Sequence, residues 1–315
     1  MPPILTLTLN PALDMATTTP AVVPTEKLRC TPPRIDPGGG GVNVARAMRI
    51  LGGEALALVA AGGPTGGQLL ALLAQEGVLV GPLPAPGDTR ISLAVRDQAS
   101  GEQYRFMLPG PAWSDRDLSA VMPMIESALT PGACCVLSGS QPPGLADNFP
   151  ADFARLCADR QVRLVVDTAG APLAALAAAP GPGVEVLRLN LTEAATLAGR
   201  SLATATECAD FAGTLVARGV ARMVVLARGG EGAVLASGGG RWQATAPEVA
   251  VISRIGAGDS MVAAFILALS RGAAPEEALR QSVAAAAAAM TSEGTGLFRR
   301  AEVKALAPRC RVERL

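Results

Sequence analysis

The chain has 315 residues, half of them hydrophobic, and balances 27 basic against 27 acidic groups. Zero net charge argues against a nucleic-acid or membrane-surface partner, since both demand a basic excess. Histidine is absent and the only two lysines are Lys27 and Lys304, which excludes imidazole bases, imidazole metal sites and the Walker phosphate loop.

The first predicted element is "ILTLTL", a strand entered without a basic leader or cleavage site, so no signal peptide is expected. "LNPALD" (9–14) ends that strand with Asn10 and Asp14. A carboxylate there is either a turn former or an acceptor for substrate hydroxyls. Residues 16–35 are rich in Thr, Val and Pro and break the pattern. "DPGGGGVNVARA" (36–47) then sets four glycines before a helix. Glycine permits positive φ and close backbone approach, and a helix N-terminus attracts anions or hydroxyls. The GxGxxG dinucleotide spacing fails, because Val44 holds the sixth position from Gly39. Asn43 on the first turn can hydrogen-bond sugar hydroxyls.

Further on, "ALALVA", "CCVLSG", "VRLVVD", "VEVLRL" and "RMVVLA" are compact apolar runs, as in strands covered on both faces. Helical patterns separate them: "GVNVARAMRILGG", "GGQLLALLAQEG", "FPADFARLCADR" and "ATECADFAGTLVARG". This alternation predicts an α/β fold with a mainly parallel sheet between helical layers, with ligands beyond the carboxyl ends of the strands. Residues 89–108 read as a hairpin turning at "DQASGE". With residues 16–35 they form a small antiparallel lid, whose leftover apolar face favours a homodimer. From about residue 257 the chain reads as almost wholly helical. Length and pattern fit one large domain with a small appendage as well as two domains.

Six cysteines, without CxxC spacing and mostly in apolar runs, read as reduced core residues of a cytoplasmic protein. No apolar stretch reaches the roughly 18 residues of a membrane span.

Several residues carry two readings. Lys27, Arg29 and Arg90 in the lid are surface charges or ligands for a substrate phosphate, which a guanidinium binds bidentately. Asn190 and Glu193 in "RLNLTE" are a helix cap with its capping-box acid, or contacts to phosphate and water-bound Mg²⁺. "ARGGEGA" (227–233) is a glycine turn between strands. In "SRIGAGDSMVA" (253–263), Asp259 is a helix cap or a proton acceptor beside anion-holding backbone N–H groups.

Together, "PGGGGVNVARAMRILGG", "SGSQPPG", "RLNLTE" and "IGAGDSMVAAFI" resemble the PfkB, or ribokinase-like, carbohydrate kinases over essentially the whole chain. The resemblance implies a single domain, 1–315, a three-layer α/β/α sandwich with a β-strand lid. It implies ATP as co-substrate with Mg²⁺, and a phosphorylated ketose as acceptor. Within the family, "TLTLNPALD" and "SGEQYRFMLPG" look like the 6-phosphofructokinases, with 1-phosphofructokinases and tagatose-6-phosphate kinases close by. Their glycine loop usually reads GGKG; the four glycines here favour fructose 6-phosphate. By this similarity Asp259 is the general base, needing no strongly raised pKa if the proton leaves late. Gly256, Ala257 and Gly258 supply the anion hole. Asp14, Gly39 and Asn43 hold sugar hydroxyls, Lys27, Arg29 and Arg90 surround the existing phosphate, and Ser140 lies near the substrate. Asn190 and Glu193 organise Mg–ATP, with Arg228, Gly229 and Gly232 by the nucleotide. Potassium sits near Ser253, Ile255, Ala289 and Gly294. The sequence departs from the family at Arg188, Leu189, Thr192, Ala227 and Arg254, all on the nucleotide or cation side.

Overall fold

A computed structural model describes residues 3–179, 181–292 and 296–315. The chain begins with β1 (Ile4–Thr8), β2 (Ala12–Thr19), β3 (Arg34–Gly38), α1 (Gly40–Ile50), β4 (Leu56–Ala61), α2 (Gly63–Gln75) and β5 (Leu79–Pro84). Next come β6 (Arg90–Asp97), β7 (Gln103–Met107), α3 (Asp115–Ala128), β8 (Cys134–Ser138), α4 (Phe149–Asp159), β9 (Arg163–Asp167) and α5 (Gly170–Ala178). It continues through β10 (Val184–Asn190), α6 (Leu191–Ala198), α7 (Ala205–Ala217), β11 (Ala221–Ala227), β12 (Ala233–Ser237) and β13 (Gly240–Ala244). The last elements are α8 (Ala257–Ser270), α9 (Pro275–Met290), α10 (Arg300–Leu306) and β14 (Val312–Arg314).

Seven strands pair in parallel in the order β5-β4-β1-β8-β9-β10-β11, and β12, β13 and β14 extend that sheet antiparallel. Side chains alternate between its faces. Ala57, Val59, Cys134 and Val136 join one core with α1, α2, α8, α9 and α10; Leu58, Ala60, Cys135 and Leu137 join the other with α3 to α7. Both faces are covered, which is why the strands read as continuous apolar runs. The result is the three-layer α/β/α sandwich expected. The chain leaves β1 toward β4 on one side and returns at β8 on the other, so the strand order reverses between β1 and β8. In open α/β sheets a ligand crevice opens at the carboxyl ends on either side of such a switch point.

The second sheet, β3-β2-β6-β7, corrects the lid's expected form. The 89–108 hairpin is present, and the Asp97 carboxylate holds its turn by accepting from the N–H groups of Ala99 (2.8 Å), Ser100 (3.2 Å) and Val22 (3.1 Å). The layer is mixed, however, because β2 and β6 run parallel. Each leaves the body of the domain outward, so only their returns, β3 and β7, are antiparallel to them. The strands of the first segment also lie at 12–19 and 34–38, with an exposed strandless stretch between them. Asp14 therefore belongs to β2, and does not end β1. The C-terminal region is not wholly helical: β14 closes the chain by pairing with β13, which gives that edge a partner. Five cysteines are buried and free as expected; Cys30, on the exposed stretch, is not in the core.

Candidate active site

The glycine run is the hinge between the lid sheet and the helical layer. Gly38 ends β3, and a Cβ there would lie 2.3 Å from Asp14 Oδ2. Gly39 caps α1 with φ 115°, and Gly40 and Gly41 press against Ser138 of β8 and Thr8 of β1. A side chain at any of these positions would collide with the strand ends, so the glycines let α1 start directly over the switch point. Asn43 then lies one turn into α1 and faces α8.

Asp259 does not cap its helix. Gly256, at φ 74°, is the N-cap of α8, and no side chain caps that end. Ser260 N–H bonds back to the Gly256 carbonyl at 2.9 Å, so the N–H groups of Ala257, Gly258 and Asp259 precede the first intrahelical bond. The Asp259 carboxylate accepts instead from Asn43 Nδ2 at 3.0 Å. Asn43 is oriented in turn: Arg46 Nη1 donates to its Oδ1 (3.3 Å) and to the Pro37 carbonyl (3.0 Å). Arg46 grips both Glu76 oxygens, each at 2.6 Å. A guanidinium only donates, so the Asn43 oxygen must face Arg46 and its NH₂ must face Asp259.

Electrostatics sharpen the picture. Burial, then the Asp167 carboxylate, lifts the Asp259 pKa to about 7, against the Asn43 hydrogen bond and the Arg188 charge. This shift exceeds what the sequence reading required, and its source is the surrounding protein together with a second acid that the reading passed over. Asp167 ends β9 and pairs in register with Ser138. Arg188 on β10 reaches it at 3.3 Å and packs under Gly258, where a Cβ would lie 2.9 Å from Nη2. Burial works against the Arg188 charge, but Asp167, Glu193 and Asp259 outweigh it and hold its pKa above the ordinary value. A cleft of about 570 Å³ is lined by the segments 138–145 and 167–172, with Glu193 and Asp259 on its wall.

On the lid, Asp14, Arg90, Ser92 and Arg105 share one sheet face by the β2–β6–β7 register. Burial raises Asp14 to about 6, against the charges of Arg90, Arg105 and Arg46. Arg90 donates to the Asn10 carbonyl (3.3 Å), and Asn10 Nδ2 reaches Ser140 Oγ at 3.1 Å. The lid face and the cleft are thus continuous. Lys27 and Arg29 lie on the exposed 20–33 stretch, and no ion pair of either is seen among the described residues. Arg105, to which no sequence motif points, acts with Arg90 and Arg46 in lowering the Asp14 pKa against its burial.

Asn190 and Glu193 form the capping box: Asn190 Oδ1 accepts from Glu193 N–H (2.9 Å), and Glu193 Oε2 from Asn190 N–H (2.7 Å). The same Glu193 borders the cleft, and burial raises its pKa. Asn190 pairs in register with Ala227, so the 229–232 turn is its neighbour. Gly232 must be glycine there, since a Cβ would lie 1.9 Å from the Ala244 carbonyl. Arg228, beside that turn, donates to the Glu231 carboxylate and the Ala203 carbonyl. Ser253 and Ile252 N–H groups bond to the Met290 carbonyl, which brings Ser253 and Ile255 to the end of α9 beside Ala289. Gly294 lies outside the described residues. Arg254 is exposed on that loop.

A half-buried carboxylate at an uncapped helix start, facing an acidic cleft and a cationic lid on an α/β/α sandwich, defines a phosphoryl-transferring enzyme of the sugar-kinase class. The pattern described as pfkB family carbohydrate kinase matches residues 8–301, and the chain belongs to that family. It is 42% identical over 297 residues to the ATP-dependent 6-phosphofructokinase isozyme 2 of Escherichia coli, covering 93% of this chain and 94% of that one. With the isozyme 2 of Mycobacterium tuberculosis it shares 39% over 303 residues, 96% and 88% of the two chains. The solved phosphofructokinase-2 of Escherichia coli in complex with substrates and products superposes with a TM-score of 0.91 at 39% identity, covering 98% and 99%. The same protein in complex with potassium matches equally, at 0.91 and 39%.

Proposed function

We propose that the enzyme transfers the γ-phosphoryl group of Mg–ATP to the 1-hydroxyl of fructose 6-phosphate, giving fructose 1,6-bisphosphate and ADP. The observation that carries this reading is Asp259, raised to about 7 and aimed by Asn43 beside free helix-start N–H groups. Asp259 takes the hydroxyl proton as the sugar oxygen bonds to phosphorus and the bond to the ADP oxygen breaks. The N–H groups of Ala257 and Gly258, with Gly256 as the turn that frees them, face the charge on the migrating group. Asp14, Asn43 and the backbone at Gly39 hold the sugar hydroxyls, and Arg90 with Arg105 meets its phosphate; Ser140 borders the same space.

Asp167, Glu193 and Asp259 line one cleft, where burial, and then the Asp167 carboxylate, raise the pKa of Glu193 and Asp259 against the charge of Arg188. Such a wall fits Mg²⁺ carried in with nucleotide phosphates, since that ion keeps several waters and needs few carboxylates. When bound it would neutralise phosphate charge. Arg188 stands where it can share that task. Carbonyls near Ser253, Ile255 and Ala289 suit potassium, whose binding to the Escherichia coli relative supports the assignment. The lid edge strand β7 leaves Tyr104 and Phe106 exposed, and we assign it to a homodimer. No helix among the described residues is long and apolar enough to cross a membrane. A coupled ADP-release assay with fructose 6-phosphate, fructose 1-phosphate and tagatose 6-phosphate tests the substrate: the highest kcat/KM belongs to the first, and preference for either other sugar overturns it.

A further inference from the structure

A second cavity, of about 440 Å³, lies among the far end of α8, α9 and α10. Arg271, at its edge, is twelve residues beyond Asp259, about 18 Å along the helix at 1.5 Å per residue. This space is separate from the cleft and none of its residues has a part in the reaction proposed above.

Its charge is one-sided. The whole chain is neutral, yet the charged residues lining this cavity are Arg271, Arg280, Arg300 and Lys304 against Glu277 alone. Glu277 is already engaged with Arg280 Nη1 at 3.2 Å. Two guanidiniums converge on one turn: Arg271 Nη2 donates to the Gly52 carbonyl at 2.7 Å, and a Cβ on Gly52 would lie 2.7 Å from Arg300 Nη1. No ion pair of Arg271, Arg300 or Lys304 is seen among the described residues. Lys304 is also one of only two lysines in the chain. Arg271, Arg300 and Lys304 are exposed at its rim, where like charges repel one another, and an anion between them reverses the sign of that interaction. The floor between the cations is apolar, with Leu267 and Val303 on it. The volume falls within the roughly 300–1,000 Å³ of small-molecule sites.

We propose that this cavity binds a small organic phosphate, its phosphate held by the arginine forks and Lys304 and its carbon body against the apolar floor. An extended polyanion is disfavoured, because the cations face a concave space and not a stripe along the surface.

The test uses tungstate and pyrophosphate as probes. Crystals of the full chain soaked in tungstate are expected to show an anomalous peak within hydrogen-bond reach of Arg300 and Lys304, besides any peak in the cleft. The second-cavity peak is lost in Lys304→Glu and Arg300→Gln while a cleft peak persists. In solution, pyrophosphate binding to the wild-type chain shows a second class of site, weakened about tenfold or more in Lys304→Glu, the equivalent of one charge-assisted contact. An unchanged thermal midpoint in that variant shows that it folds. Tungstate confined to the cleft, or the same pyrophosphate isotherm in wild type and Lys304→Glu, overturns the proposal. The kinase reading survives either result, because basal turnover of Lys304→Glu stays at the wild-type level.

Discussion

The floor of the cleft and the lid carry charged groups in opposite manners. On the floor, Asp259, Asn43, Arg46 and Glu76 form one hydrogen-bonded chain that crosses from α8 through α1 to the end of α2. Each member is oriented by the next, and burial moves Asp259 far from its ordinary pKa. On the lid, Arg90 and Arg105 stand on strands of a thin sheet, and β7 is exposed throughout. A network that fixes geometry and protonation governs the chemical step; separate cations on a sheet face govern how well the substrate is held. Floor substitutions should therefore lower kcat, and lid substitutions should raise KM for the sugar.

The largest break is Asp259→Asn. Turnover is expected to fall about 10²-fold or more with KM for ATP nearly unchanged, as loss of a general base requires; near-normal kcat would refute the role. In the wild-type enzyme the rate should decline as pH falls through about 7, where Asp259 takes up its proton. The stability sign is opposite to that of a salt-bridged acid. Its folded pKa of about 7 lies above the ordinary 3.8, so between those values the folded state binds more protons and stability falls as pH rises. Asp259→Asn removes that penalty. Its melting midpoint should exceed the wild type's at pH 8 by at least ~2 °C, with the gap closing toward pH 4. Equal midpoints at pH 8 would mean that the carboxylate is well solvated.

Next in size is Arg46→Met, which keeps the stem's packing and removes every donor. Asn43 is then free to turn its oxygen toward Asp259. We expect kcat to fall about 10-fold, within the range of positioning effects, and the acid limb of the pH profile to move upward because the hydrogen bond that lowers the Asp259 pKa is lost. A purely structural role would reduce the midpoint and leave that limb in place.

Much of the floor was legible in the chain because its devices are local. Four successive glycines before a helix, and an aspartate one turn into an apolar helix after GAG, announce close approach and a helix-start site wherever they occur. Asp167 was not singled out, although it is the last residue of a strand already recognised. Periodicity marks a strand's buried faces, and a single polar residue at its carboxyl end leaves no periodic trace. Arg188 was noticed only as a departure, since its partners Asp167 and Gly258 come from distant elements. The lid was harder. Alternation located β6 and β7, yet nothing in it specifies that β2 joins β6 in parallel, because register and direction depend on where the body of the domain launches each strand. The same gap hid Arg105, which the β6–β7 register sets on the face of Arg90. The helix α3 escaped because Pro123 interrupts its pattern.

Arg90→Ala tests the other half of the comparison. KM for the sugar phosphate should rise about 10-fold or more, the loss of a charge-assisted contact, with kcat within about 2-fold; an unchanged KM removes Arg90 from the phosphate site. Arg105→Ala should act in the same direction and less, because it is exposed whereas Arg90 is half-buried.

The smallest effect is expected from Lys27→Ala. Lys27 stands on the exposed 20–33 stretch, and a solvent-facing ammonium contributes through screened attraction that weakens beyond about 10 Å at 0.1 M salt. KM should rise no more than about 2-fold, and that small rise should vanish as salt is added, as for a steering charge. A rise matching that of Arg90→Ala and resistant to salt would place Lys27 in direct contact with the phosphate. The 20–33 stretch would then have to reach a bound sugar, by folding inward or across the proposed lid interface to a second copy's site, and the lid would be a part completed on assembly, no longer the standing surface that sets it apart from the floor.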